Sequence, residues 1–193
     1  MSRPNKCIKD TDGKEYWISR STVVIPIVFK YDIQNNDIYT LVERRGPAVS
    51  HQGEWCCPCG YIDWDESLEE ACVREVREET GLELNELRIK LFEVYSDKYT
   101  KNQTIDLWYE CWVEEGDDFH IDKIETKSEV LDVRWLKVAH IGNMNSLEKN
   151  IFTIYKKSIY DGYGIWAFKT HHTHIIDMLK ARFSMCSIRE INE

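Results

Sequence analysis

Several residue types that would place a chain in a special class are scarce here. The 193 residues include only 9 glycines and 4 prolines, which excludes collagen-like and Gly/Pro-rich low-complexity chains. Cationic side chains are also in the minority, with 25 Lys and Arg against 34 Asp and Glu. The resulting net charge of −9 argues against nucleic acids and anionic membranes as partners.

Long apolar runs and a paired cysteine framework are missing as well. No stretch approaches the roughly 18 apolar residues of a membrane span, and the N-terminus lacks the apolar run of a signal peptide. The seven cysteines are odd in number, and three of them, Cys56, Cys57 and Cys59, crowd into four positions. Because such crowding is unlike a disulfide framework, we expect a reduced, cytoplasmic protein.

The sequence does contain a strand-rich pattern around one clear helix. β-branched and apolar segments predict strands at 21–29, 38–43, 55–57, 87–95, 104–113 and 130–136. Ser67 and Glu70 form a capping box and Gly81 supplies a stop, which predicts a helix over residues 68–79. Strands around a central helix indicate an α/β fold with a mixed sheet between layers.

After about residue 141 the spacing of apolar residues becomes typical of helices. One predicted helix carries Leu147, Ile151, Ile154 and Tyr155, and a second carries Ile175, Ile176, Leu179 and Phe183. We therefore expect a main domain over residues 1–140. Residues 141–193 would form a helical extension, packed on that domain or at the interface of a homodimer.

The predicted central helix carries acidic residues where its apolar stripe should continue. Leu68 and Cys72 mark that stripe, and at about 100° per residue Glu75 and Glu79 fall within roughly 40° of Leu68. Glu78 lies on the flank. Carboxylates clustered in this way repel each other, and desolvation raises their pKa values. A divalent cation resolves the conflict, because hard carboxylate oxygens at these spacings project together, as Mg²⁺ coordination requires.

Residues 60–82 resemble the Nudix box, Gly-x5-Glu-x7-Arg-Glu-U-x-Glu-Glu-x-Gly-U, in which U is apolar. All seven fixed positions match: Gly60, Glu66, Arg74, Glu75, Glu78, Glu79 and Gly81. At an average usage of about 7% per residue type, seven matches arise by chance on the order of once in 10⁸ windows. The preceding Trp55-Cys-Cys-Pro-Cys is similar to the family's Trp-x-Leu-Pro-Gly, although Cys59 replaces a glycine. Asp65, where relatives often carry glycine, is a second departure.

The resemblance implies a Nudix-type α/β/α sandwich with a mixed β-sheet and additional C-terminal helices. It also implies hydrolysis of a phosphoanhydride bond in a nucleoside diphosphate derivative. Carried across by position, three carboxylates and one backbone carbonyl would hold Mg²⁺ or Mn²⁺: Glu75, Glu78, Glu79 and Cys59. Glu66 and Arg74 would orient this cluster, and one of its glutamates, or a distant one, would activate water.

The resemblance leaves the substrate open. ADP-ribose or a nucleotide sugar is our first expectation, and a nucleoside triphosphate is the alternative. A different class of protein, the non-catalytic Nudix-fold nucleotide sensor, usually has a broken box and an added DNA-binding domain. The box is intact here, which favours the enzyme. In a third alternative, the tail helices form a homodimer interface and contribute to the site.

Residues outside the box give weaker signals. Glu129, six residues before Trp135, is a further metal ligand or general base, or else a solvated loop carboxylate, and Glu125 is a less favoured substitute. Arg44 and Arg45 precede a loop and would receive a substrate phosphate, unless they are an ordinary charged strand end. Aromatic residues that could stack on a base or ribose are Tyr95, Tyr99, Trp108 and Tyr109, with core packing as the alternative.

A cluster of cysteines and a cluster of histidines could each be interpreted as a metal site. The cysteines at 56, 57 and 59, with His51 upstream, lack the second Cys pair usual in a structural zinc site, so we expect packing thiols. His171 and His174 stand three apart in the last predicted helix, and we expect a surface or partner-facing cluster rather than a metal site.

Overall fold

The computed structural model of the protein describes residues 6–85, 88–96, 104–114, 117–142, 151–161 and 166–192. Its strands are β1 (Lys6–Lys9), β2 (Glu15–Ile18), β3 (Thr22–Asp32), β4 (Asp37–Arg45), β5 (Trp55–Cys56), β6 (Gly60–Tyr61), β7 (Ile89–Ser96), β8 (Ile105–Trp112), β9 (Val130–Gly142), β10 (Ile151–Tyr155) and β11 (Ser187–Ile191). Its α-helices are α1 (Leu68–Thr80), α2 (Lys156–Asp161) and α3 (Lys169–Arg182).

The main sheet is mixed, and helices cover both of its faces. Its order is β11-β10-β9-β4-β3-β8-β7, with β3 parallel to β8 and β10 parallel to β11. Because side chains alternate along a strand, Val24 and Val28 of β3 pack with α1, whereas Ile25 and Ile27 pack with α3. The arrangement confirms the expected α/β sandwich with a mixed sheet.

Helix α1 begins and ends as the sequence predicts. The Glu70 backbone N–H donates to the Ser67 hydroxyl at 3.2 Å, and the Glu70 carboxylate accepts from the Ser67 N–H at 2.6 Å. Gly81 follows the helix with φ 70°, the left-handed conformation that glycine adopts without strain. A Cβ on Gly81 would also collide with the backbone carbonyl of His120. These two ends fix which carboxylates of α1 face the sheet.

The helix predicted around Ile151–Tyr155 is wrong, since these residues form strand β10. Phe152 and Ile154 are buried while their neighbours are half-buried, an alternation with the period of a strand. Apolar residues at 151, 154 and 155 have the i, i+3, i+4 spacing of a helix, whereas in β10 Ile151 and Ile154 lie on opposite faces of the strand, which explains the error. Leu147 lies outside the described residues. β9 also runs through the boundary predicted at residue 140, so the tail extends the same sheet.

The second tail helix is confirmed as α3, which buries Ile175, Ile176 and Leu179 against the sheet. Phe183 follows its last residue and stacks on Phe152, with ring centroids 4.1 Å apart. β11 then pairs with β10 at the sheet edge. None of the helices in the described part of the chain is long and apolar enough to cross a membrane. A role for the tail in a homodimer stays a prediction.

Candidate active site

The site forms where β3 and β4 separate. The two strands pair from Asp32–Asp37 to Phe29–Thr40, and two short strands then take their place. β5 pairs with β4, with Cys56 opposite Glu43, and β6 pairs with β3, with Gly60 opposite Val24. The connection over residues 57–59 therefore bridges the opening in the sheet, directly against α1.

Gly60 allows this connection to approach α1 closely. A Cβ built on Gly60 would coincide with the carboxylate of Glu75, so no residue other than glycine fits without moving that side chain. One residue earlier, the Cys59 backbone N–H donates to the Glu79 carboxylate at 3.0 Å. The backbone at 59–60 thus lies beside two carboxylates of the helix.

The acidic face of α1 is buried, as the helical wheel predicts. Glu75 is 8% exposed and Glu79 is 6% exposed, although both are charged residue types. Glu78 is half-buried on the flank of the helix. Carboxylates at such positions need compensating charge or hydrogen bonds, because desolvation of an unpaired ion is costly.

Arg74 supplies that compensation for one side of the cluster. Its guanidinium donates to both carboxylate oxygens of Glu66, at 2.9 and 2.7 Å, and to the Tyr61 backbone carbonyl at 2.8 Å. It also donates to Glu75 at 2.7 Å and approaches Glu78 at 3.4 Å. The expected positioning role of Arg74 and Glu66 has a clear geometric basis in these contacts.

The environment shifts the pKa values of these acids in opposite directions. Hydrogen bonds from Arg74 lower the pKa of Glu66. Burial raises the pKa of Glu75, although Arg74 opposes this effect. Burial raises the pKa of Glu79 well above its ordinary value, and the nearby charges of Glu43 and Glu75 add to the shift. Since burial and like charge both act here, a bound cation would relieve both.

Glu43 belongs to this cluster and was not predicted. It lies on β4, is 1% exposed and accepts a hydrogen bond from the Cys56 thiol at 3.4 Å. Burial raises its pKa well above the ordinary value. A glutamate directly after Leu41 and Val42, inside an apolar strand, was the signal available in the sequence.

The two arginines expected to bind phosphate have different environments. Arg45 is buried, donates to the Ser50 carbonyl at 2.7 Å and lies 3.6 Å from the Cys56 sulfur. Arg44 is exposed and donates to the Gly53 carbonyl at 3.1 Å. Both side chains therefore contact the loop that leads into β5, and their contact with substrate stays a prediction.

The two acids weighed as a distant base lie in the segment before β9. The Glu125 N–H donates to the Glu78 carbonyl at 2.8 Å, and its carboxylate lies 3.3 Å from the Arg77 guanidinium. Glu129 is half-buried, and its carbonyl accepts from the Gly46 N–H at the end of β4. This segment therefore lies beside the C-terminal part of α1, and the role of Glu129 stays a prediction.

The aromatic candidates divide by exposure. Trp108 is buried and stacks on His174, with ring centroids 3.6 Å apart, so its placement favours the core-packing interpretation. Tyr109 is buried in the cluster on the α1 side of the sheet. Tyr95 is exposed on β7 and remains the candidate for stacking. Tyr99 lies outside the described residues.

The surface location expected for the histidines of α3 is wrong for His171. That ring is buried and accepts a hydrogen bond from the Cys57 backbone N–H at 3.0 Å. Burial lowers its pKa to about 3, so the ring is neutral. The reason is that α3 covers the sheet with this face, and His171 thereby supports the connection over residues 57–59 next to the site.

The cysteines before the box behave as packing thiols. Cys56 and Cys57 are fully buried, and burial raises the pKa of each thiol well above its ordinary value. This disfavours the thiolate form that zinc binding requires. Cys59 is half-buried beside Glu79. The absence of zinc stays a prediction.

The donor set fits a hard divalent cation. Carboxylate and carbonyl oxygens are the ligands that Mg²⁺ and Mn²⁺ prefer, and two carboxylates, those of Glu75 and Glu79, lie beside the Cys59–Gly60 backbone. Glu43 contacts the neighbouring Cys56, and Glu78 shares Arg74 with Glu75. No three His, Cys, Asp or Glu side chains of the described residues already converge on one point suited to a metal ion. Arg74 contacts one carboxylate oxygen each of Glu75 and Glu78, so a bound cation would share these carboxylates with the guanidinium.

Comparison with known proteins gives one family. The NUDIX domain family model matches residues 21–157. The Arabidopsis thaliana protein named Nudix hydrolase 10 is 25% identical over 173 residues, which cover 85% of this chain and 60% of that protein. The nucleoside triphosphatase NudI of Enterobacter sp. (strain 638) is 26% identical over 147 residues, 72% of this chain and 96% of that protein. The chain therefore spans about 60% of the length of the plant relative.

A solved structure shows the same fold. The NUDIX domain of Shewanella oneidensis NrtR, complexed with ADP ribose, superposes with a TM-score of 0.51. It is 22% identical in sequence, and the match covers 65% of this chain and 76% of that one. This likeness confirms the fold expected from the box.

Proposed function

The chain belongs to the NUDIX domain family, and we propose that it hydrolyses a phosphoanhydride bond in a nucleoside diphosphate derivative with Mg²⁺ or Mn²⁺. One observation carries this proposal: two acids of the box, Glu75 and Glu79, lie buried beside the backbone at Cys59 and Gly60. Burying carboxylates that have no compensating charge costs free energy, because they lose their hydration. A cation-binding role accounts for that cost.

The contacts of each residue indicate its role in the proposed reaction. Glu75, Glu78, Glu79 and the Cys59 carbonyl would hold the cation, which neutralises phosphate charge and lowers the pKa of the attacking water. Arg74 and Glu66 position the carboxylates. One of these glutamates, or Glu129 in the segment before β9, would accept the proton of the water.

We place ADP-ribose or a nucleotide sugar first among the substrates. Support comes from the Shewanella oneidensis domain, which is complexed with ADP ribose. Exposed Tyr95 would stack on the base or ribose, and exposed Arg44 would contact a phosphate. A nucleoside triphosphate is the second candidate, because the Enterobacter relative, named a nucleoside triphosphatase, is matched over 96% of its length.

A substrate panel assayed with Mg²⁺ and with Mn²⁺ tests the proposal. ADP-ribose should yield AMP and ribose 5-phosphate, and a nucleoside triphosphate would yield the monophosphate and pyrophosphate, all identified by mass spectrometry. Turnover that requires either metal supports the proposal. Tight binding of a nucleotide without turnover under any condition contradicts it and supports the sensor alternative.

A further inference from the structure

Glu43 is a buried carboxylate that the Nudix box does not account for. It stands on β4 after two fully buried residues, Leu41 and Val42, and is itself 1% exposed. One carboxylate oxygen accepts from the Cys56 thiol at 3.4 Å, and the other has no hydrogen-bond partner among the described residues. A thiol is a weak donor, so this carboxylate is poorly compensated.

The carboxylate of Glu43 faces Glu79 across the opening in the sheet. The charge of Glu43 raises the pKa of Glu79, because the two carboxylates lie close together. Both side chains are almost completely buried. β5 pairs Cys56 with Glu43, and the Cys59 N–H donates to Glu79, so the two acids lie on either side of the same connection.

The charge of Arg45 lowers the pKa of both acids, but by less than burial raises it. Arg45 lies on the same strand and is buried, but its Nε and Nη1 are directed at the Ser50 carbonyl and the Cys56 sulfur. Arg74 donates to Glu66 and Glu75 instead. The charge of these two buried carboxylates is therefore only partly compensated by Arg45. A bound divalent cation would stabilise both of them.

We propose that Glu43 is a further ligand of the divalent cation, contributed by the sheet opposite the helix carboxylates. This inference rests on the proposed function and adds a residue to its site. The unpartnered oxygen of Glu43, the carboxylate of Glu79 and the Cys59 carbonyl would then hold the cation from three different elements. Glu43 thereby ties β4 to α1 through the metal.

Mn²⁺ binding to the full chain tests this assignment without relying on activity. Free Mn²⁺ is counted by its electron paramagnetic resonance signal during a titration of wild type, Glu43→Gln and Glu110→Gln. Losing even a partner that supports a metal ligand costs about 10–100-fold in affinity, so Glu43→Gln should weaken Mn²⁺ binding at least about tenfold. Glu110 is the matched control, because it is 7% exposed but bonds Trp112 and Arg182.

The opposite outcome is equally definite. If Glu43 is only a buried acid, Glu43→Gln raises the melting temperature of the metal-free protein and binds Mn²⁺ within twofold of wild type, which overturns the proposal. Should Glu43→Gln not fold, Glu43→Asp keeps the charge but withdraws it by one methylene. Weaker Mn²⁺ binding by folded Glu43→Asp than by wild type supports the assignment, and unchanged binding contradicts it.

The proposed function and this inference fail in different ways. A wild type that binds no Mn²⁺, with or without nucleotide, overturns both. Wild-type binding that Glu79→Gln abolishes and Glu43→Gln leaves intact overturns the role of Glu43 alone.

Discussion

At the scale of single residues, Arg74 organises the site. It donates to Glu66, Glu75 and the Tyr61 carbonyl and also approaches Glu78. Its planar guanidinium has five N–H donors in fixed directions, which suits several acceptors at once. A lysine ammonium offers the same charge from one point and cannot reach all of these oxygens.

Arg74→Lys should therefore reduce kcat roughly 10–100-fold while leaving the fold intact, because supporting partners of metal ligands typically matter to this extent. Steady-state hydrolysis and circular dichroism measure the two effects. Arg88→Lys, which changes an exposed pair with Glu114 at 2.5 Å, is the control. Equal rates for wild type and Arg74→Lys would refute the positioning role.

The raised pKa of Glu79 gives a pH-dependent prediction for the metal-free protein. A glutamate whose pKa is higher in the folded state contributes stability below its unfolded pKa of about 4.3, and this contribution is lost as pH rises through the folded value. Glu79→Gln should thus be more stable than wild type at pH 7–8, and the difference should shrink towards pH 5. Thermal melts in chelator across this range measure it, and a difference independent of pH would contradict the assigned environment.

At the scale of elements, local sequence signals predict the position of α1, whereas the rest of the site depends on how the strands and helices pack. The capping box and Gly81 fix the ends of the helix, so the burial of Glu75 and Glu79 was predictable from the wheel. For Glu43 the sequence offers only an acid directly after Leu41 and Val42, because its place near α1 depends on the separation of β3 from β4, which no local pattern encodes. The apolar spacing in β10 favoured a helix although the segment is a strand, and the burial of His171 depends on how α3 packs against the sheet, which no local pattern shows.

The capping box itself is testable. Ser67→Ala removes the side-chain acceptor for the Glu70 N–H and should lower the free energy of unfolding by about 1 kcal/mol, within the range measured for such caps. Urea denaturation measures the change, with exposed Ser187→Ala on β11 as the control. Identical midpoints for wild type and Ser67→Ala would show that the cap does not stabilise α1.

At the scale of the whole molecule, a chain of net charge −9 concentrates buried acid at one opening of its sheet. The two short strands β5 and β6 bring the Cys59–Gly60 backbone to α1, while α3 supports the same segment from the other face through His171. Helix α1, on one face of the sheet, carries the carboxylates. Helix α3, on the other face, holds the backbone segment that lies beside them. We propose that these carboxylates are buried there to bind a catalytic cation.

The most direct test of that claim is the rate of Glu79→Gln on the best substrate, with saturating Mg²⁺ or Mn²⁺. The substitution keeps size and helix propensity but removes the buried charge, so the rate should fall by roughly 10²–10³ or more while circular dichroism stays unchanged. Glu69→Gln, on the same helix and half-buried away from the cluster, should retain wild-type activity. A folded Glu79→Gln that hydrolyses substrate as fast as wild type would contradict the metal-binding role of Glu79.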